Sequence, residues 1–414
     1  MEQLVNTLKA GINQHKNQIN SISSPLFSEV MLPTSGCPHC LKSGVLGGCC
    51  FCDYISDHIE GLAMINVLRQ KDRDTYIDLM KCAVEVSRGK KIAPSVSEVL
   101  TAYDTLNIQE VPDELCEALF TSLPYQNKPF QIELETRASS VTEQRLLFWK
   151  KRLPVRRVII RMGVEIGDDW VRNHWLNKNI SNTQIQKAVE AIHQVGWKAN
   201  ANLILGLPGL TEEQSIALFI EGVLWAEAVG FDTIVFSYLN HVPYSLQNYL
   251  YTQMKDNIPL KEAGIYRQEH TCQLSFYSLF YVFEQVIEKK PEMISKIGFS
   301  VFNPFTGNQA LCDTYRKMGV LDMVQTGVRL LLEFNQKRDK QILLDFKKHL
   351  ETSELYALYR QTIEEQKGAG SLIQTLKTVA EQLAKQLWPD QAQNKFAMFE
   401  DELKDYPAYG MREQ

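Results

Sequence analysis

Residues 32–54 read LPTSGCPHCLKSGVLGGCCFCDY, and the rest of the chain is read outward from them. Five of the nine cysteines fall there, Cys37, Cys40, Cys49, Cys50 and Cys52, among Gly36, Gly44, Gly47 and Gly48. Glycine lets a backbone approach a bulky group closely and adopt φ > 0. Thiolates gathered on such a loop are the ligands an iron–sulfur cluster needs. Zinc is the competing metal, since Cys37-Pro-His-Cys40 and Cys49-Cys-Phe-Cys52 form a CxxC pair. The eight residues between the pairs are fewer than the roughly 12–20 of a finger or ribbon. A cysteine loop without metal is the third reading.

The whole chain has 414 residues, a net charge of -5 and 44% hydrophobic residues, as an ordinary globular protein does. A slightly acidic balance gives no overall field to attract nucleic acid or an anionic membrane. No apolar run reaches the roughly 18–20 residues of a membrane span. The N-terminal MEQLVNTLKAGINQHKNQ has the pattern of a polar amphipathic helix, not of a signal segment. The expected location is therefore cytoplasmic, where thiols stay reduced. Cys82, Cys116, Cys272 and Cys312 stand singly and read as small buried hydrophobes.

Strand patterns at 26–32, 96–102, 130–136, 155–164, 198–205 and 232–239 alternate with helix patterns at 58–88, 112–123, 141–151, 183–195 and 212–229. Six strands, each separated by a helix, predict an α/β chain with a parallel sheet, curled into a full or partial barrel or left open. Sites in such sheets gather at the carboxyl ends of the strands. The cysteine loop follows the first strand and so belongs to that end. Beyond residue 245 the pattern turns helical, at 273–288, 321–350 and 372–387, broken by Asn303-Pro-Phe-Thr-Gly307. The expected division is an N-terminal helix over 1–25, a barrel over 26–245 and a helical extension over 246–414.

Three strands carry polar residues where a sheet buried on both faces would be apolar. Alternation sets Glu133, Glu135 and Arg137 against Phe130, Ile132 and Leu134, and sets Arg161, Gly163 and Glu165 against Val158, Ile160, Met162 and Val164. Asn200 and Asn202 interrupt a third apolar run. Ionised groups inside a barrel are costly unless paired or bound to ligand. They predict either an internal network of Glu133, Glu135, Arg137, Arg161 and Glu165 or a lining for a zwitterionic ligand. Gly206-Leu-Pro-Gly209 is a tight turn before a helix capped by Thr211. It lacks the glycine spacing of a nucleotide-phosphate loop.

With these residues in place, the chain resembles the radical S-adenosylmethionine (SAM) superfamily, in particular its elongator-type branch. The resemblance covers roughly residues 30–245. It is carried by the loop after the first strand, by ELETRASSVTEQR (133–145), and by the block from GVEIGDDWVRNHWLNKNIS to NLILGLPG (163–209). Both blocks are similar to archaeosine synthase radical subunits. The cluster motif departs from the common CxxxCxxC, because Val45 stands where its first cysteine would be. Cys37, eleven residues, then Cys49 and Cys52 match a long-gap variant ending in GGCxFC.

The resemblance implies a partial (β/α)6 barrel. It implies a [4Fe–4S] cluster on Cys37, Cys49 and Cys52, with Cys40 and Cys50 as alternates. SAM would bind the remaining iron and be cleaved to start radical chemistry on a small polar substrate. Glu135, Arg137 and Glu165 correspond to positions that contact SAM. The family's GGE element after the second strand is replaced by Thr101–Asn107, so Asp104 and Asn107 stand in as cofactor contacts beside Tyr103. Arg161, Glu133, Asn202, Asn240 and His241 are the substrate or catalytic candidates. The implied partner is an electron donor such as flavodoxin or ferredoxin. A tRNA base as substrate, aminocarboxypropyl transfer from SAM and a non-catalytic scaffold are the alternatives.

Overall fold

The computed structural model describes residues 27–32, 34, 36–40, 47–52, 65, 67–88, 97–121, 129–153, 155–239, 245–265, 275–300 and 315–407, besides 3, 6, 7 and 10. Asn240, His241, the 303–307 turn and most of the N-terminal helix pattern lie outside them.

Seven strands form one sheet: β1 (Phe27–Met31), β2 (Ser97–Thr101), β3 (Gln131–Thr136), β4 (Val158–Glu165), β5 (Lys198–Leu205), β6 (Thr233–Tyr238) and β7 (Ile297–Phe299). They lie in chain order, each parallel to the next. A doubly wound sheet reverses its strand order part way. Here the order never reverses, and right-handed crossovers then place all connecting helices on one face. The other face becomes the inside of a partial barrel, as the sequence predicts.

The helices between strands are α1 (Arg73–Arg88), α2 (Asp113–Thr121), α3 (Glu143–Lys150), α4 (Asn182–Gln194) and α5 (Glu212–Val229). Thr142, Ser181 and Thr211 cap the last three, each accepting the backbone N–H three residues on. The last two form capping boxes with Gln184 and Gln214. Ile132, Leu134, Ile160, Met162, Ala201, Leu203, Ile234 and Phe236 pack outward against Leu146, Ile185, Phe219 and Val223. The alternate residues of the same strands face inward.

After β6 come α6 (Leu246–Met254), α7 (Ile258–Glu262), α8 (Phe276–Lys289), α9 (Leu321–Lys337), α10 (Lys340–Leu350), α11 (Glu354–Gln366), α12 (Leu372–Leu387) and α13 (Ala392–Leu403). The stretch expected to be mostly helical also supplies β7. Three residues, too few for a period-2 pattern, extend the sheet beyond β6. The helix expected over 321–350 is two helices, broken where Arg338 takes φ 57° and Asp339 caps the next helix. Phe280, Phe283, Phe334 and Phe346 continue the barrel's outer core. By contrast, α12 and α13 pack Leu372, Ile373, Leu376 and Leu403 against Ile166, Trp170, Leu207 and Cys50, at the carboxyl end of the sheet. Among the described residues no helix is long and apolar enough to cross a membrane.

Candidate functional site

Two tight turns build the cysteine loop: Cys40 N–H donates to Cys37 O (2.9 Å) and Cys52 N–H to Cys49 O (3.1 Å). Gly47 N–H donates to Cys40 O (2.9 Å) and joins them. The Cys40 thiol is hydrogen-bonded to both Cys37 and Cys52. That bond pulls the Cys37 thiol down to about 6 against the opposing effect of burial, with help from Arg137. The Cys40 thiol is pushed up by the same contacts. Burial raises Cys49, which Lys178 and Arg137 oppose, and Arg137 Nη1 stands 3.9 Å from its Sγ. Cys50 faces the apolar cluster under α12, where burial raises its thiol. Gly48 has φ 96°, and a Cβ there would lie 2.7 Å from Cys40 Sγ. Only glycine fits.

Thiols are the donors that both an iron–sulfur cluster and zinc take. A cluster spreads its thiolates over several irons, and four thiols on two linked turns present that set.

A short segment after β4 clamps the loop. Cys50 N–H donates to Leu176 O (3.0 Å) and Asn177 Nδ2 to Gly48 O (2.7 Å). His39 Nε2 lies 2.7 Å from Asn177 O, and Arg137 Nη2 donates to Lys178 O. Asn177 and Asn179 both take positive φ, 54° and 55°, which asparagine tolerates better than most residues. The segment is held in turn by Arg172, which is fully buried on a π-turn (Val171–Trp175). Its guanidinium donates to Val164 O, Ile166 O, Gly167 O, Ile180 O and Asn182 Oδ1. Burial pulls its pKa down to about 10.

Glu165 sits at φ 66° after a register shift in β4, and receives Lys178 Nζ at 2.6 Å. Both are buried. A Cβ on Gly163 would clash with Glu165 Oε1 and lie 2.7 Å from Lys178 Nζ. Gly163→Ala is expected to displace this pair and cost about 2–3 kcal/mol, read as a lowered melting temperature. An unchanged melt would show that the pair shifts freely.

Two carboxylates anchor the loop after β2. Asp104 accepts from Thr136 Oγ1 (2.6 Å), Arg137 N (3.0 Å), Asn107 Nδ2 (3.1 Å) and Ser140 Oγ (2.7 Å). Those donors fill a carboxylate's acceptor sites. Asp104 and Asn107, which the sequence suggested as cofactor contacts, brace the loop after β2 through these bonds. Glu110, which the sequence did not single out, accepts from Thr34 Oγ1, Tyr103 N (2.8 Å) and Asp104 N (2.7 Å). It ties the approach to Cys37 to the β2 loop.

Burial pushes the Glu110 carboxyl from 4.5 up to about 8, against the Thr34 hydrogen bond. Its folded pKa exceeds its unfolded one, so its contribution to stability is full below pH 4.5 and lost as pH rises through about 8. The stability of the wild type relative to Glu110→Gln should fall across that window in paired chemical melts. A pH-independent difference would contradict this.

The polar network expected from the strands is divided in two. Arg161 reaches Glu133 (3.6 Å) and Glu135 (3.3 Å) inside the barrel. Arg137 and Glu165 instead belong to the clamp around Cys49 and Lys178. Register sets Glu135, Arg161, Asn200 and Thr233 in one layer, with Gly163, Asn202 and Val235 above it. Asn200 Oδ1, Asn202 Oδ1 and Tyr238 Oη are buried and accept or donate no hydrogen bond within the described residues. A buried orphan acceptor costs about 1–3 kcal/mol unless something satisfies it.

Arg172, Asn177, Lys178 and Glu110 are the residues that pattern reading missed. A helix-like run carrying a central arginine, followed by Asn-Lys-Asn, was the available signal for the first three.

No protein-family model matches the chain. It is 26% identical over 194 residues to the uncharacterized protein MJ0550 of Methanocaldococcus jannaschii, covering 45% of this chain and 48% of that one. It is 22% identical over 205 residues to archaeosine synthase subunit beta of Methanosarcina acetivorans, covering 50% and 55%. The chain thus spans about half the length of the curated relatives it matches. Similar solved structures include coproporphyrinogen III oxidase (HemN) from Escherichia coli, a radical SAM enzyme, at TM-score 0.39 and 14% identity over 66% of this chain and 53% of that one. Another is the radical SAM methyltransferase TsrM from Kitasatospora setae, at TM-score 0.36 and 12% identity over 56% and 38%. Likeness at that level does not extend to shared chemistry.

Proposed function

We propose that this chain is a radical SAM enzyme. In this reading Cys37, Cys49 and Cys52 hold a [4Fe–4S] cluster, SAM lies between it and the barrel interior, and the substrate is a small polar molecule. The observation that carries the reading is the juxtaposition of a glycine-rich thiol loop with a polar interior at the carboxyl ends of a parallel sheet. When bound, the cluster would supply the electron that cleaves SAM; an electron donor such as flavodoxin or ferredoxin would reload it.

The chain's own groups then have separate tasks. Arg137, beside Cys49, places positive charge against thiolate charge. Arg161 offers its charge to the carboxylate of SAM and Glu135 to the amino group, and Asn200 and Asn202 offer unsatisfied amide oxygens to the same ligand or to substrate. The clamp after β4 and helices α12 and α13 shield the loop from water.

The test is SAM binding to the anaerobically reconstituted chain, followed by the electron paramagnetic resonance (EPR) spectrum of the reduced cluster. A SAM-dependent change of line shape is expected. Arg161→Gln should weaken SAM at least about tenfold, a loss of about 1.4 kcal/mol. An unaltered spectrum at saturating SAM would overturn the reading. A second substrate class, a tRNA base, is supported by the sequence likeness to archaeosine synthase subunit beta. Retention of tRNA on the reconstituted protein at physiological salt would favour it.

A further inference from the structure

A cavity of about 290 Å³ opens beside Cys50, between α6, α12, α13 and the segment after β4. It is an open cleft whose volume approaches the lower end of the ligand-pocket range. Its wall is aromatic: Trp175, Tyr251, Trp388 and Phe399 line it, with Leu383 and Val379. Trp175 has its N–H satisfied by Pro208 O (2.7 Å), so its ring presents only a π face. Lys395 also lines the cavity, its Nζ 5.6 Å from the Trp388 ring centroid. Among the described residues Lys395 is in no ion pair, although most lysines of these helices are.

We infer that this cavity is a binding site for an aromatic carboxylate. A planar ring would stack among the aromatic walls, and the anionic group would take the lysine that the protein leaves without a counter-charge. An aliphatic chain would forgo the stacking, and a neutral ring would forgo the ion pair. The site is in contact with the loop, because Cys50 and Gln247 both line it and Gln247 N–H donates to Cys50 O (2.8 Å). An occupant would brace the turn that carries Cys49 and Cys52. The inference does not depend on the proposed function, since it needs neither cluster nor SAM.

The test is calorimetric titration of the full chain, without cluster, using indole-3-acetate and its neutral counterpart 3-methylindole. One saturable site is expected, with indole-3-acetate at least about tenfold tighter, the worth of one partly desolvated ion pair. Lys395→Gln should erase that preference while leaving 3-methylindole affinity unchanged. Leu383→Trp should fill the cavity and remove both, with an unchanged circular dichroism spectrum showing that the chain still folds. Absence of saturable binding by the wild type would overturn the inference, as would equal loss of both ligands in Lys395→Gln or undiminished binding in a folded Leu383→Trp.

Discussion

Replacing Cys37, Cys49 or Cys52 singly by alanine is expected to abolish cluster incorporation. Iron should fall from about four per chain to below about one, with loss of the broad visible absorption of the reconstituted protein. Cys50→Ala should retain full iron, because its thiol faces the apolar packing under α12. Cys40 is the informative case. Its thiol is hydrogen-bonded to both Cys37 and Cys52, so it reaches the same space as the three proposed ligands. Cys40→Ala should keep iron while lowering the yield of reconstitution, since a neighbouring thiol supports the loop without being required for a three-thiolate site. Iron retained in Cys49→Ala but lost in Cys40→Ala would reassign the third ligand to Cys40. Full iron in all five variants would contradict the loop's role altogether.

The second large effect falls on a residue that touches neither thiols nor the barrel interior. Arg172→Met is expected to destabilise the chain by about 3–5 kcal/mol, because it removes the charge-assisted partner of several buried carbonyls. A cost of that size corresponds to a melting temperature lower by about 3–6 °C for a chain of this length. Since Arg172 holds the segment that clamps the loop through Leu176, Asn177 and Lys178, its loss should also quicken labelling of the loop thiols by a maleimide. Arg172→Lys should recover little, because a point ammonium cannot meet acceptors spread around a planar fork. A melt within about 2 °C of wild type would show that the carbonyls find other partners and that the clamp does not rest on this side chain.

Most of the scaffold was legible because its signals are local. Helices opened by Ser181 and Thr211 followed by glutamine, and a strand such as Lys198–Leu205, carry their own boundaries in sequence. The break at Arg338 is different: a helix former takes a left-handed φ there, and no glycine announces it. β7 was hidden because its register comes from lying beside β6, not from its own three residues. At the site, the cysteines were legible through spacing and glycine. The polar strands were legible through alternation, but alternation cannot say who pairs with whom. A register shift and a positive φ at Glu165 swing it away from Arg161 and toward Lys178. Glu110 lay beyond pattern reading for a related reason: Tyr103 and Asp104 reach it through the fold of its own loop, and Thr34 only because β1 lies beside β2.

The most direct measurement is product analysis after anaerobic reconstitution with iron and sulfide, one-electron reduction and addition of SAM. About four irons per chain and formation of 5′-deoxyadenosine are the predicted result, with methylthioadenosine marking aminocarboxypropyl transfer instead. A homogeneous preparation with a full complement of iron that yields neither compound would contradict the account.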